Sequence, residues 1–358
     1  MTNVALRTAV SSARTIADAI AAADYTRRSP GSIGVAGAHK EWQHFVILTP
    51  EVDLLVNFSV CDDLRSAAAP GSELARIVLV VSDGEWDGDV ETFPPHEVSV
   101  RGGRIDFSFA HNRLVFDGGR FQITVALRER PVSLDLELTP VTYPAHIPSI
   151  PMLEGPPLHW TVVPRLLANG TLTVGGRTHT FRDEPAYHDH NWGHFLWGHD
   201  ISWDWSFVLP EEKRVPWALT FLRLSNRARG TALAQDILVW RDQQMVEVFR
   251  EHDVEFHTEL GHLQPPHIFK VPRAMALVAP ERTADIPSGF AVRGRSGHDW
   301  IECSCTPRQV SQVLIPNDAD FGVTIFNEVS ARSTVRGRIA GEPFCFTGRS
   351  VMEFIRHV

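Results

Sequence analysis

From residue 40 onward, apolar and polar positions follow the short period that is typical of β-strands. Arg104–Phe109 and Phe121–Leu127 alternate apolar with polar residues, as half-buried strands do, whereas Arg76–Ser82 is a continuous apolar run. Tight hairpin turns need positive φ angles, which three glycine pairs supply: Gly102-Gly103, Gly118-Gly119 and Gly175-Gly176. Almost nothing after residue 35 has sustained helical periodicity. The pattern predicts an all-β fold made of two antiparallel sandwich or barrel units.

The predicted strands divide into an earlier and a later group. The earlier group comprises Trp42–Thr49, Val52–Val60, Arg76–Ser82, Val98–Phe109, Leu114–Val125, Val132–Leu138 and the hairpin Thr171–Phe181. The later group comprises Trp217–Leu224, Ala232–Trp240, Met245–Phe249, Ile268–Val271, Ala274–Val278, Phe290–Val292, Trp300–Cys305, Val323–Val329, Thr334–Ile339 and Phe344–Phe354. Between the groups, Thr139–Pro164 contains seven prolines, which cannot donate ladder hydrogen bonds. For most of that segment we expect an ordered crossing rather than a central strand.

The N-terminal segment has a different pattern. Val10, Ala13, Ala17 and Ile20 fall at helical spacing and predict a short amphipathic helix, which residues 27–31 end. We therefore expect an N-terminal helical arm over residues 1–35, a first β domain over 36–198 and a second over 199–358. A weak internal similarity supports the duplication, because Gly170–Gly175 and Gly337–Gly341 each lead into what resemble the closing strands of a β unit.

Composition narrows the class of protein. The formal charge of −9 and the lack of a basic stripe argue against a nucleic-acid-binding surface. No run approaches the roughly 20 apolar residues of a membrane span. Of the four scattered cysteines, Cys303 and Cys305 would share one face of a strand, where we interpret them as packing residues. The chain is expected to be cytoplasmic and reduced, and the sequence leaves its oligomeric state open.

One stretch, Tyr187–Phe207, concentrates the chemistry. It contains four histidines, three aspartates and four of the ten tryptophans. Indole is costly to leave in water, and clustered Asp and His must be paired or protonated when they are dry. Titratable groups walled by aromatic side chains are typical of a concave, partly desolvated pocket.

If this stretch begins as a strand, its residues alternate between two faces. Tyr187, Asp189 and Asn191 then share one face, and His188 and His190 share the other with Trp192. On the first face, burial would raise the pKa of the Asp189 carboxyl and allow it to act as a general acid. Alternatively, Asp189 has a structural role, as a buried aspartate that caps backbone amides.

The second face offers a competing chemistry. His188 and His190 form an H-x-H pair that suits zinc, with a third ligand from His194, His199 or a distant residue. No complete ligand set is evident, so we expect no metal.

Trp203-Asp204-Trp205 also has two interpretations. Either both indoles face the core with Asp204 outward, or the indoles form an aromatic wall that stabilises a cation. The motifs of serine hydrolases, P-loop and dinucleotide-binding proteins and H-E-x-x-H metalloproteases are absent from the sequence.

The run Tyr187-His188-Asp189-His190-Asn191-Trp192-Gly193 resembles the motif of hydroxyneurosporene synthase (carotenoid 1,2-hydratase) and its AttH-like relatives. Lys40-Glu41-Trp42 resembles the E-W that opens the first domain in that family, and Trp203-Asp204-Trp205 is similar to the W-D-W of AttH-like members. Leu158-His159-Trp160 lies near the family's His and Trp, at a different spacing. The resemblance covers about residues 40–225, and the W-D-W leans towards the AttH branch.

The resemblance implies two lipocalin-like β domains packed together, with a small hydrophobic substrate bound near their junction. It implies Asp189 as proton donor, with Tyr187 and His188 also in the catalytic group. Residues expected to contact the substrate are His190, Asn191, Trp192, Trp203, Trp205, Trp42, Glu41, His159, Trp160 and Arg223. In the hydratases a protonated isoprenoid double bond is captured by water without a cofactor.

We therefore expect a cofactor-independent hydratase or cyclase that acts on an apolar polyene, isoprenoid or polyketide-like molecule. A pericyclase that folds its substrate and a non-catalytic carrier of a hydrophobic ligand remain alternatives, as does metal chemistry through His188 and His190. Fold alone does not choose between them.

Overall fold

The computed structural model describes residues 15–27, 39–62, 75–153, 157–198, 201–258, 268–278, 286–318 and 320–357. The chain divides into two compact units, Met1–Phe195 and Leu196–Val358. Val10, Ala13 and His199 lie outside the described residues, so the expectations placed on them are not addressed by the structure. Neither helix in the described part of the chain is long and apolar enough to cross a membrane.

The first unit contains one helix, α1 (Ile16–Ala23), and twelve strands within its described residues. The strands are β1 (His39–Leu48), β2 (Asp53–Asp62), β3 (Ala75–Ser82), β4 (Trp86–Phe93), β5 (Val98–Val100), β6 (Asp106–Phe109), β7 (Asn112–Asp117), β8 (Arg120–Ala126), β9 (Val132–Pro140), β10 (Ala145–Ile150), β11 (Leu158–Val174) and β12 (Arg177–His194). They form one sheet in the order β4-β3-β2-β1-β12-β11-β9-β8-β7-β6-β5, and β10 pairs with β11 off this path. The last strand, β12, therefore pairs with the first.

The second unit has ten strands and the short helix α2 (Arg273–Val278) within its described residues. The strands are β13 (Ser202–Pro210), β14 (Trp217–Ser225), β15 (Ala232–Arg241), β16 (Gln244–Arg250), β17 (Val254–Thr258), β18 (Phe269–Val271), β19 (Phe290–Ser296), β20 (Asp299–Pro316), β21 (Val323–Ile339) and β22 (Glu342–His357). Their order is β16-β15-β14-β13-β22-β21-β20-β19-β17, and β18 pairs with β20.

The two sheets share one topology. In each, four antiparallel strands in chain order lead to a pairing between the first and the last strand, and a long hairpin then follows. The two hairpins, β11–β12 and β21–β22, are the closing strands whose similarity was expected from the sequence. The protein is therefore an all-β chain with two lipocalin-like units.

Each unit has its own apolar core on one face of its sheet. In the first unit, alternating positions of the strands contribute buried side chains such as Phe45, Phe121 and Val163, and Ile20 of α1 joins them. The second core includes Phe221, Phe354 and both Cys303 and Cys305, whose sulfur atoms are 3.6 Å apart. Cys303 and Cys305 share a face as expected, and α1 is a packed helix from Ile16 onward.

Most of Thr139–Pro164 lies outside the central strands, as expected, but the segment has more strand structure than an ordered crossing implies. It contains all of β10 and the first seven residues of β11, which lies between β12 and β9. The ladder avoids the prolines locally: Pro148 sits where the β10–β11 register shifts, and Pro164 where the β11–β12 register shifts. At such bulges a missing N–H breaks no ladder bond.

The secondary structure differs from the sequence predictions in three further places. Ala274–Val278 is not a strand but part of α2, which consists largely of good helix formers and follows Pro272. Val323–Val329 and Thr334–Ile339 are one continuous strand, β21, because residues 330–333 stay paired with β22 without a break in register. The strands β4 and β17 were missed, since neither has a clear apolar period.

Candidate functional site

β12 carries the candidate residues, and its two faces differ as the sequence predicted. His188 pairs with Phe45 of β1 and with Val163 of β11, both in the first core, so His188 and the residues in phase with it face inward. Tyr187, Asp189 and Asn191 face away from that core. All of the residues from Tyr187 to Trp192 are nevertheless buried. The expected division of these side chains between the two faces of one strand is confirmed.

The face that carries Asp189 places an acid beside a phenol and two indoles. The Tyr187 hydroxyl donates a hydrogen bond of 2.9 Å to Asp189 Oδ2, and Asp189 is only 4% exposed. On the same face, Asn191 lies between Trp42 of β1 and Trp160 of β11. The hydrogen bond fixes the orientation of a buried carboxyl group in aromatic surroundings. Such a group can exchange a proton with an apolar ligand.

His44 is a residue that sequence reasoning missed. It lies directly opposite Asp189 in the β1–β12 ladder, on the same face. Burial, with a smaller contribution from His188, lowers the pKa of His44 to about 3, so the ring is neutral at neutral pH. The Asn57 amide lies 3.4 Å from Nδ1 and donates to it, which leaves the ring proton on Nε2. The sequence signal was its position two residues after Trp42 on an alternating strand.

The core face holds a buried network centred on Asp24, just after α1. Its Oδ2 lies 2.7 Å from His188 Nε2, and its Oδ1 lies 2.8 Å from His190 Nδ1. His190 Nε2 lies 2.9 Å from Glu41 Oε1, and His188 Nδ1 donates to the His44 carbonyl at 3.0 Å. One carboxylate therefore joins the helix to both neighbours of Asp189. No sequence pattern had singled out Asp24.

Electrostatics keep this network charged. Burial opposes a charge on His190, but hydrogen bonds and the charges of Asp24 and Glu41 outweigh it and raise the pKa of His190 to about 9. Burial also opposes ionisation of Glu41, yet hydrogen bonds from His190 and His39 lower the pKa of Glu41 to about 2. The same balance lowers the pKa of Asp24. The group is a satisfied ion cluster that anchors the strand.

This arrangement bears on the metal alternative. Both ring nitrogens of His188 and both of His190 are engaged by oxygen acceptors, which leaves none in place for a metal ion. Among the described residues, no group of three or more His, Cys, Asp or Glu has a geometry that could hold a metal.

Trp192 lies on the core face with His159, whereas Trp160 lies on the opposite face with Asn191. The ring of Trp192 is parallel to those of His159 and His146, with centroids 5.1 and 5.4 Å away. The Arg27 guanidinium lies 4.3 Å from its ring centroid. The two consecutive candidates of the Leu158-His159-Trp160 motif are thus separated by the sheet, and only Trp160 shares the face of Asp189.

In the W-D-W motif of the second unit, Asp204 faces the core and the two indoles face away from it. Asp204 pairs with Phe354 on the core face, and its Oδ2 lies 2.9 Å from Arg223 Nη1. Its Oδ1 lies 3.4 Å from Arg356 Nη1. Asp204 is therefore a buried counter-ion, and its outward placement is corrected. Arg223 binds Asp204 within the second unit, rather than standing free for a substrate.

Trp203 and Trp205 lie on the opposite face, away from the second core. The Trp203 indole N–H donates to Glu353 Oε1, and Glu328 lies directly opposite Glu353 in the ladder. Burial raises the pKa of Glu353, although hydrogen bonds with Glu328 and Trp203 act in the other direction. On this face a buried acid, Glu353, accepts a hydrogen bond from an indole.

Solved structures of low sequence identity share this architecture. A protein assigned as AttH from Nitrosomonas europaea aligns with a TM-score of 0.61 at 16% identity, over 90% of this chain and 93% of its own. Kievitone hydratase from Nectria haematococca gives 0.56 at 12% identity, over 93% and 94%. CghA, solved with Sch210972, gives 0.57 at 13% identity over the same shares.

No protein-family model matches the chain, and no curated protein matches it significantly. At these identities the solved structures establish the fold and not the activity. This chain has the two-unit, lipocalin-like all-β fold of the AttH protein, kievitone hydratase and CghA.

Proposed function

We propose that the protein is a cofactor-independent hydratase or cyclase that acts on an apolar polyene, isoprenoid or polyketide-like molecule, with Asp189 as the proton donor. The observation that carries the proposal is the buried hydrogen bond of 2.9 Å from Tyr187 to Asp189. It holds one carboxyl group in a fixed orientation, on a face that also presents Trp42 and Trp160.

The chemistry follows from these groups. The Asp189 carboxyl transfers its proton to a carbon–carbon double bond, which leaves a carboxylate and a carbocation. Indole rings stabilise the cation through their negative faces. Water then adds to the cation and returns a proton to Asp189, or a second double bond of the substrate attacks and a later proton loss restores the acid. Atoms and charge balance without an added cofactor.

The other buried acids of the first unit are less suited to this role. Asp24 and Glu41 are held as carboxylates by histidines on the core face. They position β12 and have no proton to give near neutral pH. His188 and His190 are bound to these acids, so we assign them to holding Asp189 in place rather than to contact with the substrate.

Two of the similar structures support a small-molecule enzyme. One is named a hydratase, and another was solved with the small molecule Sch210972. They support the proposed reaction class. They do not identify the substrate, since the fold alone does not transfer an activity.

Glu353 is a second candidate for the proton donor. It is buried, bonded to the Trp203 indole and faces away from the second core, as Asp189 does from the first. If Glu353 were the donor, the reaction class would stay the same, but Glu353→Gln rather than Asp189→Asn would abolish turnover.

Two non-acid alternatives make different predictions. A pericyclase would tolerate Asp189→Asn and lose product selectivity when Trp203 or Trp205 is truncated, because its walls fold the substrate. A carrier would bind a hydrophobic ligand and release it unchanged.

The proposal is tested by incubating the full chain with a panel of linear polyenes, isoprenoids and polyketide-like polyenes in heavy water. A hydratase gives a product heavier by one water, and a cyclase gives an isomer. In either case the proposal expects one deuterium on carbon, and none with Asp189→Asn. A product formed without deuterium incorporation would point to the pericyclase, and bound but unchanged ligand to the carrier.

A further inference from the structure

The outer face of the second sheet carries four arginines around two residues of its central strand β20. Arg295 and Arg338 lie on either side of Trp300, in register on β19 and β21. Arg293 and Arg336 lie on either side of Glu302 in the next outward row. We call these four arginines with Trp300 and Glu302 the arginine face.

The arginine face is only partly neutralised. Glu302 binds both Arg293, at 3.4 Å, and Arg336, at 2.9 Å. Arg295 and Arg338 are exposed and have no carboxylate partner within the described residues. Two more acids lie near the face: Glu255 opposite Arg293 on β17, and Asp299 next to Trp300. The four arginines still outnumber these acids and Glu302, so the face keeps a positive charge although the whole chain carries a net charge of −9.

The first unit provides an internal control for what the fold itself requires. At the corresponding positions of its sheet, Asp135 lies between Thr124 and Thr171, and Ser133 lies between Ala126 and Thr173. The position of Glu302 thus carries an acid in both sheets, whereas the positions of all four arginines carry Thr or Ala in the first sheet. Because threonine suits a strand and clustered cations repel each other, this sheet topology does not by itself require arginine at these positions.

We infer that the arginine face is a docking surface for an extended acidic segment of a partner protein. Arginines two residues apart on one strand are about 7 Å apart, which is also the spacing of alternate side chains in an extended peptide. Two carboxylates of such a segment can therefore meet Arg336 and Arg338, or Arg293 and Arg295. Guanidinium groups bind carboxylates in a bidentate, directional manner.

The central Glu302 favours a peptide over an anionic membrane. A continuous plane of phosphates would bring negative charge onto Glu302, whereas a peptide can align its acids with the flanking arginines. No exposed large hydrophobic side chain of the described residues lies on this face, so it lacks an anchor for insertion into lipid. A groove lined by His298, Asp299, Trp300, Arg338, Ala340 and Gly341 continues the surface towards the β21–β22 turn.

The test measures binding of poly-L-glutamate to the full chain at low and physiological salt. The double variant Arg295→Ala/Arg338→Thr inserts the residues that the first unit uses, so the strands keep suitable side chains. We expect wild-type binding that falls with salt, and a loss of about tenfold in the variant, since two exposed ion pairs contribute roughly 1–2 kcal/mol together. Arg120→Thr/Arg182→Thr removes the same charge from the first unit and should leave binding unchanged.

Three results would overturn the inference. One is no salt-dependent binding of poly-L-glutamate, and another is equal losses in the two double variants. The third is preferential binding to phosphatidylserine vesicles, which would assign the face to a membrane. None of these outcomes depends on the activity proposed above.

Discussion

Asp24 and His190 are 166 positions apart in the chain, yet Asp24 Oδ1 lies 2.8 Å from His190 Nδ1. The second oxygen of the same carboxylate lies 2.7 Å from His188 Nε2. Both neighbours of Asp189 are thereby tied to the residue that follows α1. The N-terminal helix is therefore part of the candidate site. Its removal should disturb the position of β12.

Replacing Asp24 should strongly destabilise the first unit. Asp24→Asn keeps the size of the side chain but leaves the buried His190 cation short of one counter-charge. Removing one partner of a buried ion pair costs about 3–5 kcal/mol, which urea unfolding followed by tryptophan fluorescence can measure. Asp18→Asn, on the exposed side of α1, should cost less than about 1 kcal/mol. Equal effects of the two variants would show that the network is not stabilising.

The stability of the protein should fall on the alkaline side of neutrality because of His190. Its pKa is raised from 6.5 to about 9 in the folded state. The folded protein therefore holds a proton that the unfolded chain releases above pH 6.5, and this stabilisation is lost as the pH rises to about 9. The free energy of unfolding should decrease between these values in the wild type.

His190→Gln supplies the control for that pH dependence. The variant should be less stable overall, and its free energy of unfolding should change little between pH 6.5 and 9. The neighbouring His44, whose pKa is lowered to about 3, does not titrate in this range. A wild-type curve that is flat there, or a variant curve that keeps the slope, would contradict the assignment.

Asp204 should be a stability residue, in contrast to the two tryptophans beside it. Asp204→Asn leaves Arg223 and the buried Arg356 without their shared carboxylate, at a cost of about 3–5 kcal/mol. Glu137→Gln breaks the exposed pair with Arg120 and should cost less than about 1 kcal/mol. Thermal and urea unfolding would compare the free energies of unfolding of the two variants. A small loss of stability in Asp204→Asn would contradict the structural role of Asp204.

The parts of the site that could be predicted are those set by local alternation. A period of two assigns Tyr187 and Asp189 to one face and His188 to the other as soon as the segment is extended. The same rule applied to Trp42 would have placed His44 beside them. It also fixed the shared face of Cys303 and Cys305.

The parts that could not be predicted depend on which strands meet. Asp24 becomes important only because β1 and β12 pair and α1 covers their inner face, which no local pattern encodes. Likewise, Pro164 can occupy a central strand because the register shifts there. For Asp204, the alternation was right, and of the two interpretations left open the one that placed Asp204 outward is wrong, because Arg223 and Arg356 neutralise the buried acid.

The most direct test of the central claim is the turnover of Asp189→Asn on the substrate found by the product screen. The account predicts that product formation falls by roughly 10²–10⁴-fold, as expected for loss of a general acid. Ligand affinity, measured by tryptophan quenching, and unfolding behaviour should stay close to wild type. The exposed control Asp135→Asn should retain full activity. Turnover by Asp189→Asn at the wild-type rate would contradict the account, and an inactive Glu353→Gln in the same assay would then assign the proton to Glu353.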